Sequence, residues 1–89
     1  MESRIRPVDV ISLCSTSGEI KPLRLRVEEN EENIRIDIRE VISVKEIPYV
    51  GVEAKIFLCR AVLHGRECML ELKYSIRSHS WTLLGKVYG

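Results

Sequence analysis

Aromatic side chains make up 6% of this 89-residue chain, and none lies between residues 20 and 45. A platform for single-stranded nucleic acid interleaves exposed aromatics with cations, so the most arginine-rich stretch lacks half of what that platform needs. Excess charge is missing too. The formal net charge is +1, which removes the usual electrostatic case for a nucleic-acid partner while leaving room for a local basic patch. Cysteines number three, an odd count with no C-x-x-C spacing, which is neither a disulfide framework nor a zinc ribbon. The opening M-E-S-R-I-R-P has no apolar signal core, and no long apolar run follows. The expectation is a cytoplasmic chain with no membrane contact.

What is present is β-forming. Apolar residues at 45% and charged residues at 30% are ordinary for a globular protein and argue against disorder. The length suits one small domain, residues 1–89.

Pro7 to Cys14 reads as a first strand, rich in β-branched residues. Ser15-Thr16-Ser17-Gly18 supplies a turn rather than a phosphate loop, because no helix follows to offer an anion-binding N-terminus. Strict alternation comes next. Leu23, Leu25 and Val27 oppose Arg24, Arg26 and Glu28, then Ile34, Ile36 and Ile38 oppose Arg35, Asp37 and Arg39. This predicts an antiparallel pair with one wet face. A turn at Asn30-Glu31 sets Val27 against Ile34, Leu25 against Ile36 and Leu23 against Ile38, all in the core. On the wet side it sets Arg26 against Arg35 and Arg24 against Asp37. The pattern loses phase near Glu40-Val41 and resumes at Ile42 and Val44, as expected of a bulge that bends a long third strand. Pro48-Tyr49-Val50-Gly51 ends it.

Ala54–Tyr74 is a hairpin signal, two β-rich runs joined by His64-Gly65. A two-residue turn there puts Phe57, Cys59, Ala61, Cys68, Leu70 and Leu72 on one face. A longer loop with a bulge brings Ile56, Leu58 and Val62 inward instead, since one residue of register flips a whole face. The first strand of this hairpin is apolar on both faces and is placed centrally. Ser78-His79 turns the chain once more, and Trp81 to Tyr88 forms a last strand. Trp81, Leu83 and Val87 share a face that meets Tyr74 and Ile76, and Gly85 sits opposite Leu72. The predicted fold is all-β, a six-stranded antiparallel meander forming a small open or closed barrel.

The run G-E-I-K-P-L-R-L-R, followed much later by E-L-K-Y and a strand opening with Trp81, resembles a group of small bacterial all-β proteins with no assigned activity. That resemblance implies a fold and carries no site residues. The architecture is similar to SH3-like and other small barrels, and fold analogy says little about function.

Chemistry is thinly represented. Cys59, Cys68, His64 and His79 match no zinc spacing, and both histidines fall in turns away from any placeable carboxylate. No enzyme, metal or cofactor is expected. The leading expectation is a non-catalytic interaction module with a protein partner or a homodimer. Its candidate surface is the second apolar face of the central strand, Ile56, Leu58, Val62 and Met69, with Tyr49 as an exposed turn aromatic. The alternative is nucleic-acid or phosphate binding through Arg24, Arg26, Arg35 and Arg39, with Arg4 and Arg6 as additions. Opposed arginines are unfavourable, and the planar guanidinium fork suits phosphate or carboxylate. Asp37 and the acidic tip at Glu28, Glu29, Glu31 and Glu32 oppose that alternative.

Overall fold

Period-two alternation and two-residue turns establish the two clearest ladders. The structure, a computed structural model, describes residues 5–50 and 53–87. Its strands are β1 (Arg6–Cys14), β2 (Ile20–Glu29), β3 (Glu32–Ile47), β4 (Ala54–Leu63), β5 (Arg66–Ser75) and β6 (Ser80–Val87). They form an antiparallel meander closed into a barrel by β1 against β6. Asn30 and Glu31 turn β2 into β3 with φ of 51° and 64°, and His64 and Gly65 turn β4 into β5 with φ of 54° and 77°. Two consecutive positive φ values mark the turn whose twist matches that of the flanking strands. The predicted registers follow: Val27 faces Ile34, Leu25 faces Ile36 and Arg26 faces Arg35, while Phe57 faces Leu72, Cys59 faces Leu70 and Ala61 faces Cys68.

β1 and β3 each change partner along their length. β1 pairs with β6 over Arg6, Pro7 and Val8 and with β2 from Asp9 to Cys14. β3 pairs with β2 up to Asp37 and with β4 from Asp37 to Ile47. Leu25, Val27 and Ile36 therefore meet Phe57, Cys59, Ala61, Leu70, Leu72, Trp81 and Leu83 in one core. Trp81 lies between Phe57 and Tyr74, with ring centroids at 5.5 and 4.8 Å. Cys59 is wholly enclosed, and burial pushes its thiol pKa up to about 12. It behaves as a small hydrophobe.

Bulges bend the corner strands. On β3 the register shifts between Ile38 and Glu40 and again between Val41 and Ser43. Arg39 and Ile42 are the extra residues, so Val41 takes the core-side place expected of Ile42, and Ile42 is exposed. Three further positions depart from the sequence reading for the same reason. Ile11 pairs with Arg24 and Ser12 with Pro22, which makes Leu23 an extra residue. Pro22 then fills the buried place and Leu23 is 40% exposed rather than packed on Ile38. In β6 the shift falls at Leu84, so Gly85 stands opposite Glu71, Leu72 faces Leu83, and Val87 turns outward beside Met69. An inserted residue reverses every side chain beyond it. Ile76 lies in the turn after β5, exposed, and its amide donates to the Glu53 carbonyl at 3.0 Å. Gly51 and Tyr88 lie outside the described residues.

Candidate interaction surface

Three chain reversals share one end of the barrel: the β1–β2 turn, the β3–β4 connection and the β5–β6 turn. The ladders that support this end are incomplete. β1 loses β6 after Val8, and β2 and β3 part after Arg24 and Asp37. A strand laddered on one side only cannot bury both faces, and the apolar residues show it. Ile11, Leu13 and Leu23 are exposed on the β1–β2 hairpin, Ile42 and Val44 on the bent half of β3, and Ile76 at the β5–β6 turn. Tyr49 and Val50, in the connection after β3, are 71% and 92% exposed. The remaining exposed large hydrophobics, Ile5 and Val87, lie towards the other end. These exposed side chains make the connections at this end and the strand segments beside them a candidate surface.

Ile56, Leu58 and Val62 occupy the outer face of β4, and among the described residues no layer of secondary structure lies over them. Each is flanked by polar ladder neighbours: Ile56 by Lys45 and Lys73, Leu58 by Ser43 and Glu71, Val62 by Asp37 and Glu67. Met69 stands between Arg60 and Val87. All four are half-buried. Arg60 donates to Glu40 directly across the ladder, so this face also carries a charged pair. It is a mixed surface.

The arginines assemble on the outer face of β1, β2 and β3. Asp9, Ile11, Arg24, Arg26, Asn33 and Arg35 line an open groove of about 400 Å³. Arg24 donates through Nε to Asp37 at 2.9 Å, Arg26 reaches Asp9 at 2.6 Å, and Arg35 lies 3.6 Å from the same Asp37 carboxylate. Two carboxylates thus serve three guanidinium groups. Arg39, displaced by its bulge, makes no ion pair among the described residues. Arg6 is not part of this face. It pairs with Leu83 on β6 and shares the inward phase of Val8, and its Nε is buried with no partner among the described residues. Arg4 lies outside the described residues. Asp9, Ile11 and Asn33 are groove residues that alternation alone did not reveal, and the places of Asp9 and Ile11 depend on the β1–β2 register.

The histidines and cysteines do not converge. His64 and His79 sit in turns at opposite ends of the barrel, and Cys14 is exposed while Cys59 is buried. His79 accepts or donates at Nδ1 to the Tyr74 hydroxyl, 3.0 Å away. Among the described residues no group of three or more His, Cys, Asp or Glu side chains is placed to hold a metal ion, and no helix is long and apolar enough to cross a membrane.

No family model, curated protein or solved structure matches the chain, so the resemblance to small bacterial β-proteins assigns it to no family.

Proposed function

We propose that the chain is a non-catalytic interaction module that docks a protein partner on the apolar end of its barrel. The observation that carries this reading is the exposure of Tyr49, Val50 and Ile76 in the connections at that end, with Leu13, Leu23 and Val44 exposed on the strand segments that lead to it. Aromatic and aliphatic side chains of this kind are the anchors of interface cores. The half-buried row Ile56, Leu58, Val62 and Met69 is the surface next in apolar character, and its charged flanks suit the polar rim of a contact. A photo-crosslinking side chain at Tyr49, compared with one at Glu67, tests the reading in cells. Adducts are expected from position 49, and Val44→Lys is expected to remove them. Adducts from position 67 alone, or adducts from position 49 that V44K leaves intact, overturn it.

One observation favours a second reading, anion binding in the arginine groove. Among the described residues Arg35 has one carboxylate partner and shares it with Arg24, so an anion bridging Arg26 and Arg35 would relieve their opposition. Titration with pyrophosphate at low salt tests it. Binding that weakens steeply with salt and is lost in R26A/R35A supports the reading, and no binding refutes it.

A further inference from the structure

We infer that the unpaired edge of β1 from Val10 to Cys14 pairs antiparallel with the same segment of a second copy, about a two-fold axis at Ser12. This rests on the proposed interaction surface and names the partner for its β1 side. β1 ladders with β2 along Asp9–Cys14, but with β6 only at Arg6, Pro7 and Val8. Among the described residues no backbone hydrogen bond from a turn or loop reaches the free edge of residues 10–14. Ile11 and Leu13 are 58% and 55% exposed beside it.

Natural sheet edges are guarded by charge, proline or bulges, because unpaired amides and carbonyls otherwise template another strand. The bent half of β3 is guarded in this way. Its free edge carries Glu40, Lys45 and Glu46 and both β3 bulges. Val10-Ile11-Ser12-Leu13-Cys14 carries no charge and no proline. The inserted residue of the neighbouring bulge is Leu23, on β2, so β1 keeps its own two-residue period. Among the described residues it is the free edge that carries neither charge nor proline.

Self-complementarity points to a second copy. Opposed residues of an antiparallel pair share a face, so paired residue numbers must have an even sum. A sum of 24 sets Ser12 against Ser12 of the second copy, Ile11 against its Leu13, and Val10 against its Cys14. A sum of 22 sets Asp9 against Leu13 and leaves Cys14 without a strand partner. A sum of 26 runs Ile11 against Ser15, in the turn. The Ser12-centred register keeps charge out of the contact, holds the contact within the strand and matches the two most exposed apolar side chains of β1. An isologous contact of this kind satisfies both edges at once.

Sedimentation velocity of the full chain across a concentration range tests the pairing. A reversible dimer is expected. I11K/L13K sets ammonium against ammonium at both Ile11–Leu13 pairs and is expected to be monomeric. I11K/L13E sets ammonium against carboxylate at both and is expected to restore a dimer that weakens with salt, which also shows that substitution here leaves the chain folded. A wild-type monomer at every concentration, a dimer that I11K/L13K leaves unchanged, or an I11K/L13E variant that stays monomeric overturns the inference. If a wild-type monomer still yields V44K-sensitive adducts from position 49, the pairing fails and the interaction module stands.

Discussion

Arg26 stands directly opposite Arg35 across the β2–β3 ladder, and Asp9 on the neighbouring strand holds Arg26 at 2.6 Å. The carboxylate of β1 thereby offsets a repulsion that β2 and β3 create between themselves. Both members of the Arg26–Asp9 pair are well exposed, so the pair contributes at most about 1 kcal/mol. Asp9→Asn is expected to destabilise by a few tenths of a kcal/mol up to about 1 kcal/mol, while Arg35→Gln is neutral or slightly stabilising, by roughly 0.3 kcal/mol. Urea denaturation in low and high salt checks both, and the difference between the variants should shrink as salt rises.

The β2–β3 turn contains a residue poorly matched to its conformation. Glu31 has φ of 64° in the second turn position, where glycine is preferred. Asn30 at φ of 51° suits its own place. Glu31→Gly creates the Asn-Gly pair that such turns favour and removes the cost of a side chain at positive φ. A gain of roughly 0.5–1 kcal/mol is expected, visible as a raised urea midpoint with an unchanged slope.

Leu23 and Leu25 separate two roles that alternation assigns alike. Leu25→Ala removes a side chain from the closed core and is expected to cost about 2–5 kcal/mol. Leu23→Ala acts on a bulge residue at the surface and is expected to cost under about 0.5 kcal/mol. Tryptophan fluorescence follows both, since Trp81 lies in the core beside Phe57 and Tyr74. Equal losses would show Leu23 to be packed.

Cys59 gives the fold an alkaline limit. Burial pushes its thiol pKa up to about 12 from an ordinary value of 9.0. The unfolded chain then releases a proton first as pH rises. The stabilisation is complete below about pH 9 and is lost progressively as pH rises towards the folded value, by up to about 1.4 kcal/mol per unit. Cys59→Ala is expected to be less stable at neutral pH yet to lose less between pH 9 and 11. In native protein the exposed Cys14 should react with a thiol reagent while Cys59 reacts only on unfolding.

Where sequence and fold agree, the reason is local. The β2–β3 and β4–β5 ladders each join through two residues, so the turn fixes the register and the alternating side chains fix the face. Arg26 opposite Arg35, and Phe57 opposite Leu72, follow from those two facts. Leu23, Ile42 and Val87 escaped because one inserted residue leaves no mark on composition and reverses everything after it. The apolar end escaped for a different reason. Ile11, Leu13 and Val44 look like ordinary strand residues, and their exposure depends on where a neighbouring ladder stops, which is a property of the assembled barrel. Tyr49 was legible because Pro48 and Gly51 placed it in a turn.

Closure of the barrel through Arg6, Pro7 and Val8 bears on how the chain reaches this fold. Each of the other ladders joins strands adjacent in sequence, contacts of low order that can zip together along the meander. The β1–β6 seam instead joins the first strand to the last, and three residue pairs must offset the entropy of closing so long a loop. That step belongs late on the folding route. In the native state it is also the seam expected to open first, releasing an intact curled sheet before the core itself comes apart.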